Sequence, residues 1–146
     1  MAATPEATFT AGVHRHLPPA TEFWREKMAN PYRGGGADYW YSARGKKSRD
    51  LWVEWKFVRL PKRDSTTIDL VGGKDPPLSH LQQSWLRDRH LEGRNVWVIV
   101  GTDANGGVIF TGRSWEQPKP RSWYTAELLP RSEIAARILH FAQGGP

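Results

Sequence analysis

The clearest periodicity in the chain lies at residues 51–58, Leu-Trp-Val-Glu-Trp-Lys-Phe-Val. There Leu51, Val53, Trp55 and Phe57 alternate with Trp52, Glu54 and Lys56, the period-two signature of a strand with one apolar face. Residues 38–43, aromatic and bounded by turn formers, predict a preceding strand. The polar run 44–49 would close the two into an antiparallel hairpin. Residues 95–100, Asn-Val-Trp-Val-Ile-Val, are nearly continuously apolar and predict a strand covered on both faces. A glycine-rich turn at 101–107 then returns the chain as a strand at 108–111. Three helices are expected. The first runs over 21–29, with Thr21 as N-cap, Glu22 in the first turn and Asn30-Pro31 as its end. The second starts at the cap Ser79 and runs to Leu91, with Leu81, Trp85 and Leu86 turned inward and Gly93 stopping it. The third spans 132–141 with a stripe of Ile134, Ile138 and Phe141. Residues 1–18 show little periodicity and read as a loose tail, 59–78 as a long loop, and 112–130 as irregular chain.

The order helix, hairpin, helix, strand, strand, helix carries no internal repeat and predicts a mixed α/β layer fold. A length of 146 residues fits one domain. We divide it into the tail, a core over 19–111, and an extension over 112–146 that packs on the core or forms an interface. Hydrophobic residues at 38% and eight tryptophans supply one modest core and exclude a disordered chain. A net charge of +6 favours an anionic partner. The absence of cysteine excludes disulfides, thiolate zinc sites and thiol nucleophiles. No apolar run reaches membrane-spanning length and the N-terminus lacks the pattern of a secretory signal, so a cytoplasmic protein is expected.

Candidate chemistry gathers on the hairpin. Glu54 and Lys56 are two apart on a strand and share a face, and Asp38 opens the neighbouring strand after a glycine run. Alone, a Glu-x-Lys pair is a solvated strand face. A second carboxylate beside it makes a hard-oxygen pocket suited to Mg²⁺ or Mn²⁺. Arg44, Lys46, Lys47 and Arg49 crowd the hairpin turn, and Arg59, Lys62 and Arg63 follow the second strand. Basic groups at both ends of an acidic centre suit phosphate contacts. Tyr39, Trp40 and Trp52 offer stacking surfaces for exposed bases, with core packing as their competing use.

Asp38, then Glu54-Trp55-Lys56, then Ser79 with Gln82 and Trp85, then Gly93 through Val100, resembles the pattern of PD-(D/E)XK nucleases. Within them it is most similar to the virus-type replication–repair nucleases (VRR-NUC), relatives of the Holliday-junction resolvases. The resemblance covers roughly residues 20–110. It implies a restriction-endonuclease-like core and a metal-dependent nuclease cutting DNA in replication, recombination or repair. Asp38 and Glu54 would hold Mg²⁺ or Mn²⁺ with the Trp55 carbonyl. Lys56 would orient the attacking water and steady the scissile phosphate, and Gln82 would buttress the site. The family's N-terminal helix carboxylate would be Glu22, with Glu26 as its rival, and its first strand is reduced to residues 30–32 or missing. Ala37 stands where the family usually has proline. Junction-cutting relatives act as two-fold dimers, which makes a homodimer through the Ile134/Ile138/Phe141 stripe one alternative to its packing within the subunit.

A non-catalytic nucleic-acid-binding protein using the same hairpin is the competing reading. A pure binder gains nothing from burying acids in a basic groove. Weaker signals fall away. Gly72-Gly73-Lys74 lacks the rest of a phosphate loop, and residues 103–107 lack the glutamate of a calcium loop. His14 and His16 could ligate a metal in a flexible arm but read better as exposed tail, and His80, His90 and His140 have no partners at ligand spacing.

Overall fold

The computed structural model describes residues 3–28 and 36–146. A five-stranded mixed sheet runs in the order β1-β2-β3-β5-β6, with β1 at Trp24–Lys27, β2 at Tyr39–Ser42, β3 at Asp50–Val58, β5 at Val96–Thr102 and β6 at Gly106–Thr111. Neighbours are antiparallel except β3 and β5, which are parallel. The β3-to-β5 crossover carries the short strand β4 (Thr67–Ile68) and the helix α2 (His80–Leu91). Helices cover both faces, giving the restriction-endonuclease-like architecture expected from the sequence.

On one face Val53, Trp55, Leu51, Tyr41 and Ile99 pack against the first helix, α1 (Pro5–His14), and the last, α4 (Arg131–Ala142). On the other, Val96, Val98, Val100 and Phe110 meet Leu78 and Leu86 from the crossover and Trp115 and Tyr124 from the C-terminal region. Burial on both faces explains the unbroken apolar run of β5.

The first eighteen residues are not a loose tail. Thr4 accepts a hydrogen bond from the Ala7 N–H (3.1 Å), Pro5 occupies the first helical position, and Phe9 and Val13 are fully buried. Two apolar residues four apart suffice because the sheet leaves a matching hollow. A Cβ on Gly101 would lie 2.5 Å from Cγ of Phe9, and one on Gly107 would lie 2.9 Å from its Cζ. The ring therefore fills space that side chains on β5 and β6 would occupy.

Residues 21–28 form no helix, and residue 29, the last of the helix expected there, lies outside the described residues. Glu22 and Phe23 close a turn on the Pro19 carbonyl, and Trp24–Lys27 pairs with β2 in register Trp24↔Ser42 to Lys27↔Tyr39. A helix with only Phe23 and Trp24 as apolar anchors loses to a ladder on an open sheet edge. The expected helix end at 30–31 and the reduced first strand at 30–32 lie outside the described residues.

The expected loop over 59–78 contains β4, which pairs with β7 (Lys119–Pro120). The stretch read as irregular holds a 3₁₀ turn at Ser114–Glu116 and a helix α3 (Arg121–Glu127). In α2, Leu81 is 63% exposed while Gln83 is buried, donating to the carbonyls of Leu78 (2.8 Å) and Val71 (3.2 Å). The C-terminal extension packs on the core. Ile134 and Ile138 are buried within the subunit, so they form no interface stripe, while Phe141 lies half-buried against Trp97 and beneath the Arg49 guanidinium. Among the described residues no helix is long and apolar enough to cross a membrane.

Candidate active site

The hairpin register aligns Tyr39 with Val53 and Trp40 with Trp52. Continued by one residue, it sets Asp38 opposite Glu54. Cross-strand partners share a face, so Asp38, Glu54 and Lys56 converge on the face that carries α2. The ladder with β2 ends at Tyr39 while β3 runs on to Val58. Past that end the Trp55 N–H is taken by a side chain, donating to Oδ2 of Asp38 at 2.9 Å. This bond orients the aspartate across the notch where β2 stops. Within a strand a residue's N–H and C=O point to the same edge, so the Trp55 carbonyl also faces the notch.

Glu54 is buried, at 1% exposure, and among the described residues neither carboxylate oxygen has a hydrogen-bond partner. Among them its close cation is Lys56, whose Nζ stands 3.8 Å from Oε1. Burial and the adjoining Asp38 carboxyl push the Glu54 pKa up, against the opposite pull of Lys56. The desolvation cost of the buried acid exceeds what one ammonium at that distance returns.

A third acid joins them that the sequence reading assigned elsewhere. Glu6, in the first turn of α1, meets Asp38 and feels Glu54 and Lys56. Its pKa is raised, first by burial and then by Asp38, with Lys56 and Lys27 opposing. Glu22 sits exposed in the turn before β1, and Glu26 lies exposed on β1, opposite Trp40. Glu22 and Glu26 lie on no helix, and the helical acid that meets Asp38 is Glu6 of α1. Its sequence signal was the helix start Thr4-Pro5-Glu6, a cap residue, proline at the first position and an acid in the first turn.

Glu6, Lys27, Asp38 and Trp55 border a cleft of about 310 Å³ that continues along α1 to His14. Glu54 and Lys56 lie on the other side of the sheet, and Asp38, at the end of β2, bridges the two groups. A hydrogen-bonded chain stiffens this wall. The Trp55 indole N–H donates to the Tyr41 hydroxyl (3.1 Å), which pairs with Nε2 of His14 (2.7 Å). Burial, then Arg25, lowers the His14 pKa to about 4. The ring is therefore neutral near pH 7 and shares a hydrogen bond with the Tyr41 hydroxyl.

Gln82 does not buttress the acids. Its side-chain oxygen accepts from the Ser79 N–H (3.0 Å) while Ser79 Oγ accepts from the Gln82 N–H (3.1 Å), a capping box. Among the described residues no hydrogen bond joins it to Asp38, Glu54 or Lys56. Of the basic groups, Arg44 donates to the Thr21 carbonyl (2.7 Å), and Arg49 donates to the Gly145 carbonyl (2.8 Å). Lys46, Lys47, Arg59, Lys62 and Arg63 are exposed.

Among the described residues no three acidic or imidazole groups already stand at metal-ligating spacing. The cluster is an acid pair with a third carboxylate beside it, not a closed cage. It nonetheless fits a cation, because among the described residues both buried oxygens of Glu54 lack a donor and a neighbouring carboxyl shares the notch. A small divalent ion would neutralise what the fold leaves uncompensated.

No protein-family model matches the chain, and no curated protein matches its sequence. Among solved structures the fold is similar to that of Hjc, a Holliday junction resolvase from the archaeal hyperthermophile Archaeoglobus fulgidus. The TM-score is 0.53 at 16% sequence identity, over 91% of this chain and 97% of that one.

Proposed function

We propose that the protein is a nuclease of the PD-(D/E)XK kind, hydrolysing DNA phosphodiester bonds with Mg²⁺ or Mn²⁺ held by Asp38 and Glu54. The observation that carries this reading is Glu54, an acid buried beside a second acid and a lysine, with both oxygens unpaired among the described residues. Such an arrangement is costly unless a ligand completes it. The Trp55 carbonyl offers a third hard oxygen on the same edge. When bound, the cation supplies Lewis acidity to a phosphoryl oxygen and acidifies a water.

The chain's own groups account for the rest. The Lys56 ammonium offsets negative charge that grows on the phosphate in the transition state. Asp38, fixed by the Trp55 N–H, keeps its free oxygen toward Glu54. Glu6, beside Asp38 at the notch and with its pKa raised by burial, would take a proton from the attacking water. The likeness to a junction resolvase supports this reading at the level of architecture, and makes four-way junctions one of the substrates to try.

The test is a panel of end-labelled single-stranded, nicked, duplex and four-way junction DNA with Mg²⁺ or Mn²⁺. Cleavage of at least one form is expected, and EDTA should abolish it. Glu54→Gln and Lys56→Ala should each lower the rate about 10²-fold or more while keeping DNA affinity. Glu54→Gln replaces a buried acid whose ionised form the fold disfavours with a neutral group of similar shape, so it should melt no lower than the wild type without metal. Binding without cleavage of any form would reduce the protein to a binding module.

A further inference from the structure

Four tryptophans form a row across the sheet face that carries Glu54. Trp40 and Trp52 are cross-strand partners with ring centroids 6.1 Å apart and an interplanar angle of 30°. Trp85 of α2 meets Trp52 edge-on at 6.0 Å, and Arg89 lies over Trp85. At the other end Trp24 pairs with Ser42, diagonal to Trp40 on the same face, and is 53% exposed. Trp40 and Trp52 are only half-buried. The row sits one residue pair from the acids, since Trp40 follows Asp38 by two positions and Trp52 precedes Glu54 by two. That is about 7 Å along the strands, close to the spacing of successive nucleotides in an extended strand. Two positions further along, past Ser42 and Asp50, the hairpin turn exposes Arg44, Lys46 and Lys47.

Pure core packing does not explain this row. Among the described residues the buried indole N–H of Trp40 has no acceptor, a cost of about 1–3 kcal/mol that phenylalanine or leucine would avoid. An edge-strand tryptophan more than half exposed buries little. Aromatic faces beside an exposed basic turn are, by contrast, what unpaired nucleotides require: stacking surfaces for bases and cations for the phosphates between them. A continuous duplex keeps its bases stacked on one another and leaves none for these rings.

We propose that the Trp24/Trp40/Trp52 row receives unpaired bases of the strand being cut. The site would then act where a duplex is opened beside the scissile phosphate, as at a frayed end, a flap or a branch with unpaired nucleotides. This rests on the nuclease reading for its cleavage consequence alone, because the binding consequence stands without metal. The test measures anisotropy of labelled oligo(dT) and of a blunt duplex of equal length in EDTA, for wild type, Trp24→Ala and Trp40→Leu. Each variant is expected to weaken oligo(dT) binding about tenfold, the lower range for one lost stacked base, and to leave duplex binding unchanged. Trp24 is a surface residue, so its removal leaves the fold intact, and Trp40→Leu keeps an apolar cover over Trp52. In Mn²⁺, wild type should cut a flapped duplex faster than a blunt one, and both variants should lose that preference. Equal effects on both ligands, or none on oligo(dT), would overturn the inference, even if cleavage is strong. Tryptophan-dependent oligo(dT) binding by a protein that cuts nothing would uphold it and sink the nuclease reading.

Discussion

Each acid of the cluster is held by one neighbour that sequence spacing only partly reveals. Glu54 and Lys56 were legible because period-two alternation puts them on one face, and Asp38 because it opens the partner strand. What spacing does not show is how they are aimed. Asp38 is oriented by a backbone N–H beyond the end of the β2 ladder, and Glu54 is set by burial. Gln82 misled because a Ser-x-x-Gln pattern at a helix start serves equally well as a capping box, which is where its side chain goes. His14 was read as part of an exposed tail, yet it pairs with the Tyr41 hydroxyl behind Trp55 with its pKa lowered from 6.5 to about 4. A base that stays neutral in the folded state while the unfolded chain takes up a proton makes stability fall as pH drops from 6.5 to 4. Above that window the contribution is constant, and below it the loss levels off. Thermal melts of wild type and His14→Gln between pH 8 and 4 should therefore diverge, the wild type losing a few degrees more over 6.5–4. Glu6 and Glu54 titrate in both proteins, so the difference isolates the histidine. Parallel curves would show that His14 is free to protonate in the fold.

At the scale of elements, long well-patterned segments were read correctly and weakly patterned ones were not. The strands β3 and β5, α2 and α4 carry their periodicity in large side chains. The helix α1 carries its periodicity in Phe9 and Val13 alone, and its stability comes from a hollow made by Gly101 and Gly107 that are distant in sequence. No local pattern can report a cavity built by other strands. The same distance explains β1, whose helical reading was overridden by pairing with β2, and β4, which exists only because β7 returns to meet it. Because α1 carries Glu6, the glycine hollow also places an acid of the candidate site. Gly101→Ala puts a carbon where the Phe9 ring lies and should cost about 1–3 kcal/mol, seen as a lower melting temperature. It should also slow cleavage by lifting Glu6 from Asp38. Adding Phe9→Leu should recover much of both. A Gly101→Ala protein that melts and cuts like wild type would show that α1 does not depend on this contact.

Across the whole molecule, the charge is arranged around the acids in a way composition alone could not show. The net charge of +6 is a sum, whereas binding depends on which cations are free. Arg44 and Arg49 are engaged by the carbonyls of Thr21 and Gly145. Among the described residues, Lys46 and Lys47 before β3 and Arg59, Lys62 and Arg63 after it make no ion pair with an acid. Nine residues of β3 separate these two groups, about 27–30 Å at strand rise, or roughly eight base pairs of duplex at 3.4 Å each. Glu54 lies between them, so a duplex gripped at both ends would pass its backbone over the acid notch. Counterion release makes this countable, because log Kobs against log salt falls by about 0.9 for each duplex phosphate contact. Lys46→Ala with Lys47→Ala should flatten the slope by up to about 1.8, and Arg59→Ala, Lys62→Ala and Arg63→Ala together by up to about 2.7. Glu54→Gln should leave it unchanged, since in the proposed site that acid would face metal and water and no phosphate. Anisotropy titrations of a blunt duplex from low to moderate salt in EDTA give all four slopes. If only one end alters the slope, DNA is held from that side alone and does not cross the notch. If neither does, the charge contributes to solubility and the binding surface lies elsewhere.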